Sequence, residues 1–269
     1  MVQRLTDCHF HTFGDVAEFP IVAAASYVPK VATLEQHAAL LAPHGRLRRV
    51  IIAASAYGTD NRCHMAALRQ IGPMGSNDGR AIVSISGATP DAELTEMTRL
   101  GARGARFNGI SPGAMGFDEL FANAVRMRAQ GWHAELYARP DQLAEQADRL
   151  LATGLDVSVA HYGDLDPAKG VGQPAVTVLD TLLATGKVWL KLSAPYRSST
   201  AENFADMEPY ARHFLALRPD RMLWGSDWPY IHHEARMVGW DPLTPLIGWM
   251  SPAEADAVLW ENPAKLYGF

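Results

Sequence analysis

Arg49-Val50-Ile51-Ile52-Ala53-Ala54-Ser55 is an uninterrupted apolar, β-branched run closed by a serine. A strand with one wet face alternates apolar and polar residues. A run of this kind has both faces covered, as in a parallel sheet lined by helices. The preceding residues read as a helix: Thr33 stands as an N-cap, Leu34, His37, Leu40 and Leu41 recur at helical spacing, and Gly45 ends the segment. Beyond the run, Tyr57-Gly58-Thr59-Asp60-Asn61 makes a turn into a helix carrying Met65, Leu68 and Ile71. Strand, turn and helix form the repeating unit.

The unit recurs in kind, not in sequence. Upstream, a short strand at 7–11 is followed by a long loop, residues 12–30. Downstream, strands read at 81–86, 102–107, 132–137, 155–161, 188–193 and 221–227. Helices read at 91–100, 116–130, 140–151, 175–183 and 201–217, with two more near 243–250 and 252–259. Phe121, Val125 and Met127 are the expected inward positions of the 116–130 helix. Each parallel crossover needs a helix, so strict alternation implies a parallel sheet of the α/β class. Eight such units in 269 residues predict a closed (β/α)8 TIM barrel forming one domain, residues 1–269. The alternative, an open dinucleotide-binding sheet, lacks its Gly-x-Gly-x-x-Gly after the first strand.

The composition is that of a globular protein with a sizeable core: 48% hydrophobic and 20% charged residues. A net charge of −5 gives no basic face for nucleic acid. No apolar run reaches the ~18–20 residues of a membrane span. Two cysteines, Cys8 and Cys63, write no disulfide framework. With no basic-then-apolar leader, a cytoplasmic location is expected. A homo-oligomer is compatible with all of this.

In such barrels the chemistry sits where the strands end. Asp7-Cys8-His9-Phe10-His11 closes the first strand and sends His9 and His11 to one side, about 6–7 Å apart at ~3.3 Å per residue. The other ends carry Ser55 with Tyr57 beyond it, Arg106, Tyr137, His161, Ser193 with Tyr196 and Arg197 beyond it, and Asp227. Each residue has an ordinary use: a core histidine, a surface arginine, a helix-capping aspartate. After Asp227, however, Trp228-Pro229 delays any helix. Three histidines, an aspartate and two arginines on one rim suit hydrolysis. The aspartate takes a proton from water, histidines or a metal they hold polarise a carbonyl, and arginines fork onto carboxylates.

These motifs resemble the amidohydrolase superfamily, amidohydrolase-2 type. Within it they are similar to the 2-pyrone-4,6-dicarboxylate lactonase family and related sugar-acid and muconate-type lactonases. The segments that carry the resemblance are Asp7–Gly14 (DCHFHTFG), the Phe19-Pro20 and Ser26–Lys30 loop, SAYGTDN at 55–61, RGARFN at 103–108, the His161 loop, WGSDWP at 224–229 and NPAKLY at 262–267. They span nearly the whole chain. The resemblance implies a hydrolase opening a small anionic lactone. Asp227 would be the general base, His9, His11 and His161 would surround the carbonyl, and Arg106, Arg197, Tyr27, Tyr57, Tyr137 and Ser55 would bind substrate. It further implies at most one divalent metal, zinc before others, on His9, His11 and Asp227, or none. Glu135 lies two residues before its strand's end, which argues against a second ion. One departure is plain: Gly109-Ile110-Ser111-Pro112-Gly113 offers no arginine where the dicarboxylate enzymes place one. The same fold also admits a metal-dependent decarboxylase of aromatic or muconate-type acids, or a non-catalytic binder of an anionic metabolite.

Overall fold

The computed structural model describes residues 2–71, 78–111 and 114–269. Eight strands follow one another round one sheet in chain order: β1 (Arg4–Phe10), β2 (Arg46–Ile52), β3 (Gly79–Val83), β4 (Ala102–Asn108), β5 (His133–Tyr137), β6 (Val157–Val159), β7 (Val188–Ser193) and β8 (Met222–Gly225). Every neighbouring pair is parallel. The ring is completed at the β8–β1 seam. There Phe10 bridges Trp228 in parallel, Asp227 N donates to His9 O at 2.7 Å, and His11 N donates to Trp228 O at 2.8 Å. The chain therefore forms the expected (β/α)8 barrel.

Side chains reinforce this seam where the regular ladder stops. The fully buried Asp7 carboxylate accepts from His9 N (3.0 Å) and Ser226 N (2.9 Å) through Oδ1, and from His37 Nε2 (2.8 Å) through Oδ2. Gly225 lets the strands close, because a Cβ there would lie 2.5 Å from His9 Cβ. One carboxylate thus ties β1, the residue after β8 and the first helix together directly beneath the rim.

The helices are α1 (Leu34–Leu41), α2 (Arg62–Ile71), α3 (Asp91–Leu100), α4 (Phe117–Ala129), α5 (Pro140–Ala152), α6 (Pro174–Ala184), α7 (Glu208–Leu217), α8 (Thr244–Gly248), α9 (Pro252–Asp256) and α10 (Asn262–Tyr267). Thr33 caps α1 as expected: its hydroxyl accepts from Gln36 N while the Gln36 side chain accepts from Thr33 N. Among the described residues no helix is long and apolar enough to cross a membrane.

Four expectations are corrected. Val125 does not face inward; it is 68% exposed, and α4 buries Leu120, Asn123, Ala124 and Met127 instead. Asn123 can take a core position because its amide donates to Glu119 O and accepts from Arg126 Nη1. The helix expected over 201–217 starts at Glu208, because the Asp206 side chain takes the backbone N–H groups of Thr200 and Ala201 into a loop. The last strand stops at Gly225, short of the expected 227, because Asp227 adopts φ +57°. The helical path at the C-terminus runs on past 259, through a π turn at 257–261 into α10.

Candidate active site

Asp227 stands just past β8, buried and in the left-handed backbone region, which a non-glycine residue enters only when its surroundings hold it there. Its carboxylate is divided between two tasks. Oδ2 accepts from Tyr196 Oη at 2.6 Å and from Arg197 Nε at 2.9 Å. Oδ1 has no hydrogen-bond partner among the described residues. Around Oδ1 stand three imidazole nitrogens: His9 Nε2 at 3.5 Å, His11 Nε2 at 3.7 Å and His161 Nε2 at 3.7 Å. Burial alone would raise the Asp227 pKa. The Arg197 guanidinium, the largest opposing influence, holds the carboxyl well below the usual range.

Each imidazole is oriented from behind. His11 Nδ1 lies 2.8 Å from Ile52 O, an atom that can only accept. His11 therefore carries its proton on Nδ1 and turns a bare Nε2 to the site. His161, also in the left-handed region, has Nδ1 3.0 Å from Ser193 Oγ, which accepts from His161 N at 3.2 Å. His9 is fully buried, with its Nδ1 beside Glu135 and Lys191. Desolvation lowers the pKa of all three rings, so they are neutral near pH 7.

The donor set fits one metal ion. Single ligand atoms of His9, His11 and Asp227 lie within 4.8 Å of one another. His9 Nε2 and Asp227 Oδ1 are buried and otherwise unpartnered, and His11 offers a lone pair. Ligands about 2.0–2.1 Å from a tetrahedral zinc sit roughly 3.3 Å apart, close to the spacing found.

The expected binding residues divide. Arg106 donates from Nη1 to Ala53 O at 2.9 Å, lies 3.5 Å from His11 Nε2, and forms no ion pair among the described residues. Tyr27 lies near Ser55, Ala56 and Arg106, and burial raises the pKa of its hydroxyl. Tyr137 packs its ring edge-on to His161 and points its hydroxyl at Asp164. Arg197 commits its Nε to Asp227, and its two Nη groups form no hydrogen bond among the described residues. Tyr57 is not brought to the rim. Its hydroxyl accepts from Gly14 N, and its ring is buried with Phe13 and Cys63. The residues expected to lack an arginine extend to Pro112 and Gly113, which lie outside the described residues.

Two roles were not read from the sequence: Tyr196 as a donor to Asp227, and Lys191 as the partner of Glu135. Tyr196 was visible beyond β7 but carries no motif that marks it as a carboxylate donor. The buried Lys191–Glu135 pair lies inside β7 and β5, and charged residues within apolar strands are its only sequence signal.

A family model described as Amidohydrolase matches residues 6–269. The chain belongs to the amidohydrolase family. This amidohydrolase is 32% identical over 276 residues to a 2-pyrone-4,6-dicarboxylate hydrolase of Comamonas testosteroni, covering 97% of this chain and 89% of that protein. It is 30% identical over 273 residues to a 4-sulfomuconolactone hydrolase of Hydrogenophaga intermedia, covering 97% and 88%. A crystal structure described as a probable 2-pyrone-4,6-dicarboxylic acid hydrolase from Acinetobacter baumannii, with citric acid bound, superposes with a TM-score of 0.83 at 25% identity, covering 99% of this chain and 100% of that one. The expected superfamily is borne out, and the expected ester-bond hydrolase agrees with the names of these relatives.

Proposed function

We propose that this amidohydrolase opens the ring of a small lactone bearing a carboxylate or similar anion. One observation carries the reading: Asp227 is anchored through Oδ2 while Oδ1 stays unpartnered among three imidazoles. Such a carboxylate is ionised, fixed in direction and aimed at the place where a water and a carbonyl meet. The names of the relatives support the class, since a pyrone dicarboxylate and a sulfomuconolactone are both anionic lactones.

Water attacks the lactone carbonyl and gives its proton to Asp227 Oδ1. The carbonyl oxygen becomes an oxyanion. Ser193 Oγ, already accepting from His161 N, keeps its proton and donates a hydrogen bond to His161 Nδ1. His161 then carries its proton on Nε2, aimed at that oxyanion. The ring C–O bond breaks, and Asp227 returns its proton to the leaving oxygen. His11, neutral and bare at Nε2, is an acceptor and cannot polarise a carbonyl by donation. If a divalent ion is bound by His9, His11 and Asp227, it supplies Lewis-acid polarisation of the carbonyl or a more acidic water. Arg106, lacking a carboxylate partner, meets the substrate anion as a charge-assisted donor.

The test is a pH-detected hydrolysis screen. Lactones bearing a carboxylate or sulfonate are compared with neutral lactones of the same ring, in the native protein and in Asp227→Asn. Hydrolysis confined to the anionic series and lost in the variant is expected. Hydrolysis by the native protein that persists in the variant removes Asp227 from the reaction.

A further inference from the structure

Beneath His9, inside the barrel, lies an ion pair that the proposed reaction does not use. Glu135 on β5 and Lys191 on β7 are both fully buried. Lys191 Nζ donates to Glu135 Oε2 and, at 2.8 Å, to Cys8 O, the carbonyl just before His9. Buried ion pairs often contribute nothing to stability compared with apolar residues of similar volume. Stability alone therefore gives no reason for this one. Its second carboxylate oxygen, Oε1, has no hydrogen-bond partner among the described residues and lies 3.2 Å from His9 Nδ1.

We propose that Glu135, held by Lys191, is a positioning residue that accepts a hydrogen bond from His9 Nδ1–H, keeps the ring proton there and thereby turns a bare Nε2 toward Asp227. The proposal rests on the reading that His9 belongs to the active site.

Two arrangements compete at Nδ1. In one, His9 Nδ1–H donates to Glu135 Oε1. In the other, Lys191 Nζ, 3.4 Å away, donates its remaining proton to Nδ1, and His9 carries its own proton on Nε2. The second meets hydrogen-bond geometry as it stands, whereas in the first the ring N–H points off the line to Oε1 and a small ring rotation must close it. Three grounds nevertheless favour the first. Its distance is shorter. The ammonium already has two acceptors, whereas Oε1 would otherwise be a buried, bare carboxylate oxygen, a costly group to leave unpaired. His11 gives a matching case on the next inward-facing position: its Nδ1–H is taken by Ile52 O, and its Nε2 is bare. With Glu135 acting on His9, both Nε2 lone pairs and Asp227 Oδ1 converge. That arrangement suits a cation and is set before any ligand arrives. A partner behind a ligating histidine typically supports metal affinity or activity by about 10- to 100-fold.

The test reads the tautomer directly. Protein labelled with 15N-histidine gives two-bond 15N–1H correlations that report which ring nitrogen carries hydrogen. The His9 signals are identified by their loss in His9→Gln. Spectra are taken on the protein as purified and after chelation, so that coordination does not dictate the result. In both, His9 is expected to be protonated on Nδ1 and bare on Nε2. Glu135→Gln leaves Lys191 without its counter-charge and is at risk of misfolding. The double variant Glu135→Leu with Lys191→Met removes both charges together and should melt at or above the native temperature. In it, His9 should lose its single tautomer. Affinity for added zinc, or kcat on an active lactone with KM little changed, should fall about 10- to 100-fold. Protonation of native His9 on Nε2 overturns the proposal, and that spectrum decides even if neither variant folds. A double variant with the native tautomer, or with a changed tautomer but unchanged zinc affinity and kcat, also overturns it. The spectrum needs no substrate, so failure of the lactonase reading remains separate from failure of this one.

Discussion

Tyr196 Oη donates to Asp227 Oδ2 at 2.6 Å, on the side of the carboxylate away from the three histidines. With Arg197 Nε on the same oxygen, it fixes the rotation of the carboxylate and leaves Oδ1 for chemistry. Tyr196→Phe keeps the ring packed and removes only the donor. A hydrogen bond to a charged group contributes about 1.5–3 kcal/mol. A fall in kcat of roughly 10- to 100-fold, with KM little altered, is expected. Steady-state kinetics on any lactone the native enzyme opens will show it; an unchanged kcat would mean that Arg197 alone orients Asp227.

Asp227→Asn preserves shape but cannot accept the proton of water. General-base catalysis is worth about 10²–10⁴-fold, and turnover should drop by that order while substrate still binds. Calorimetric binding beside a rate assay separates the two. Asparagine tolerates the φ of +57° at this position as aspartate does, so loss of binding together with turnover would point to a structural role for the charge.

The two rim arginines should behave differently. Arg106 forms no ion pair among the described residues, so Arg106→Met should raise KM for an anionic lactone by about 10- to 100-fold and change little for its neutral methyl ester. Arg197 holds Asp227, so Arg197→Met should lower kcat for acid and ester alike. Rates for both substrates with both variants give the comparison. The same acid-to-ester ratio in both variants would deprive the anionic-substrate reading of its support from Arg106.

The barrel was legible because each crossover leaves a local trace: a β-branched run, a turn, then a helical period. The histidines, Arg106 and Asp227 were legible because strand ends are where side chains meet. What was missed depends on distance in sequence. That Arg197 Nε meets Asp227 is fixed by packing between the β7 and β8 ends. Tyr57 follows Ser55 closely, yet one helical turn after β2 rotates its hydroxyl toward Gly14. Lys191 and Glu135 lie 56 residues apart, and a lone charge inside each apolar strand does not say which partner it meets.

Acid should destabilise the fold through histidines away from the site. Burial lowers His64 to about 3 and His133 to about 4. In the unfolded chain each titrates near 6.5, at about 1.4 kcal/mol per pH unit for each proton the unfolded state alone binds. Their contribution is complete above that value. It is lost as pH falls toward the folded values, because the unfolded state gains protons first. His133 packs edge-on to Tyr267, and His133→Phe keeps a ring there while removing the titration. Urea unfolding at pH 7 and pH 5 should show the native protein losing about 2 kcal/mol more than the variant. Equal losses would mean that His133 titrates as it does in the unfolded chain.

Metal content is the remaining test. His11 keeps its proton on Nδ1 against Ile52 O, and its Nε2 therefore offers a lone pair beside Asp227 Oδ1. Two like-directed acceptors in a buried place repel unless something positive lies between them, and Arg106 Nη1 reaches His11 Nε2 only at 3.5 Å. A single divalent ion meets that need. Glu135, the residue that would serve a second ion, is held by Lys191, and the ligand atoms that cluster are those of His9, His11 and Asp227. Elemental analysis of protein purified without chelator should find no more than one equivalent. Added zinc should bind once per chain by calorimetry, and His11→Ala should weaken that binding by at least tenfold. Two tight equivalents would bring Glu135 into the coordination sphere and require Lys191 to leave it. Zinc binding unaffected by His11→Ala would place the ion elsewhere and leave the converging lone pairs to a proton or to the substrate.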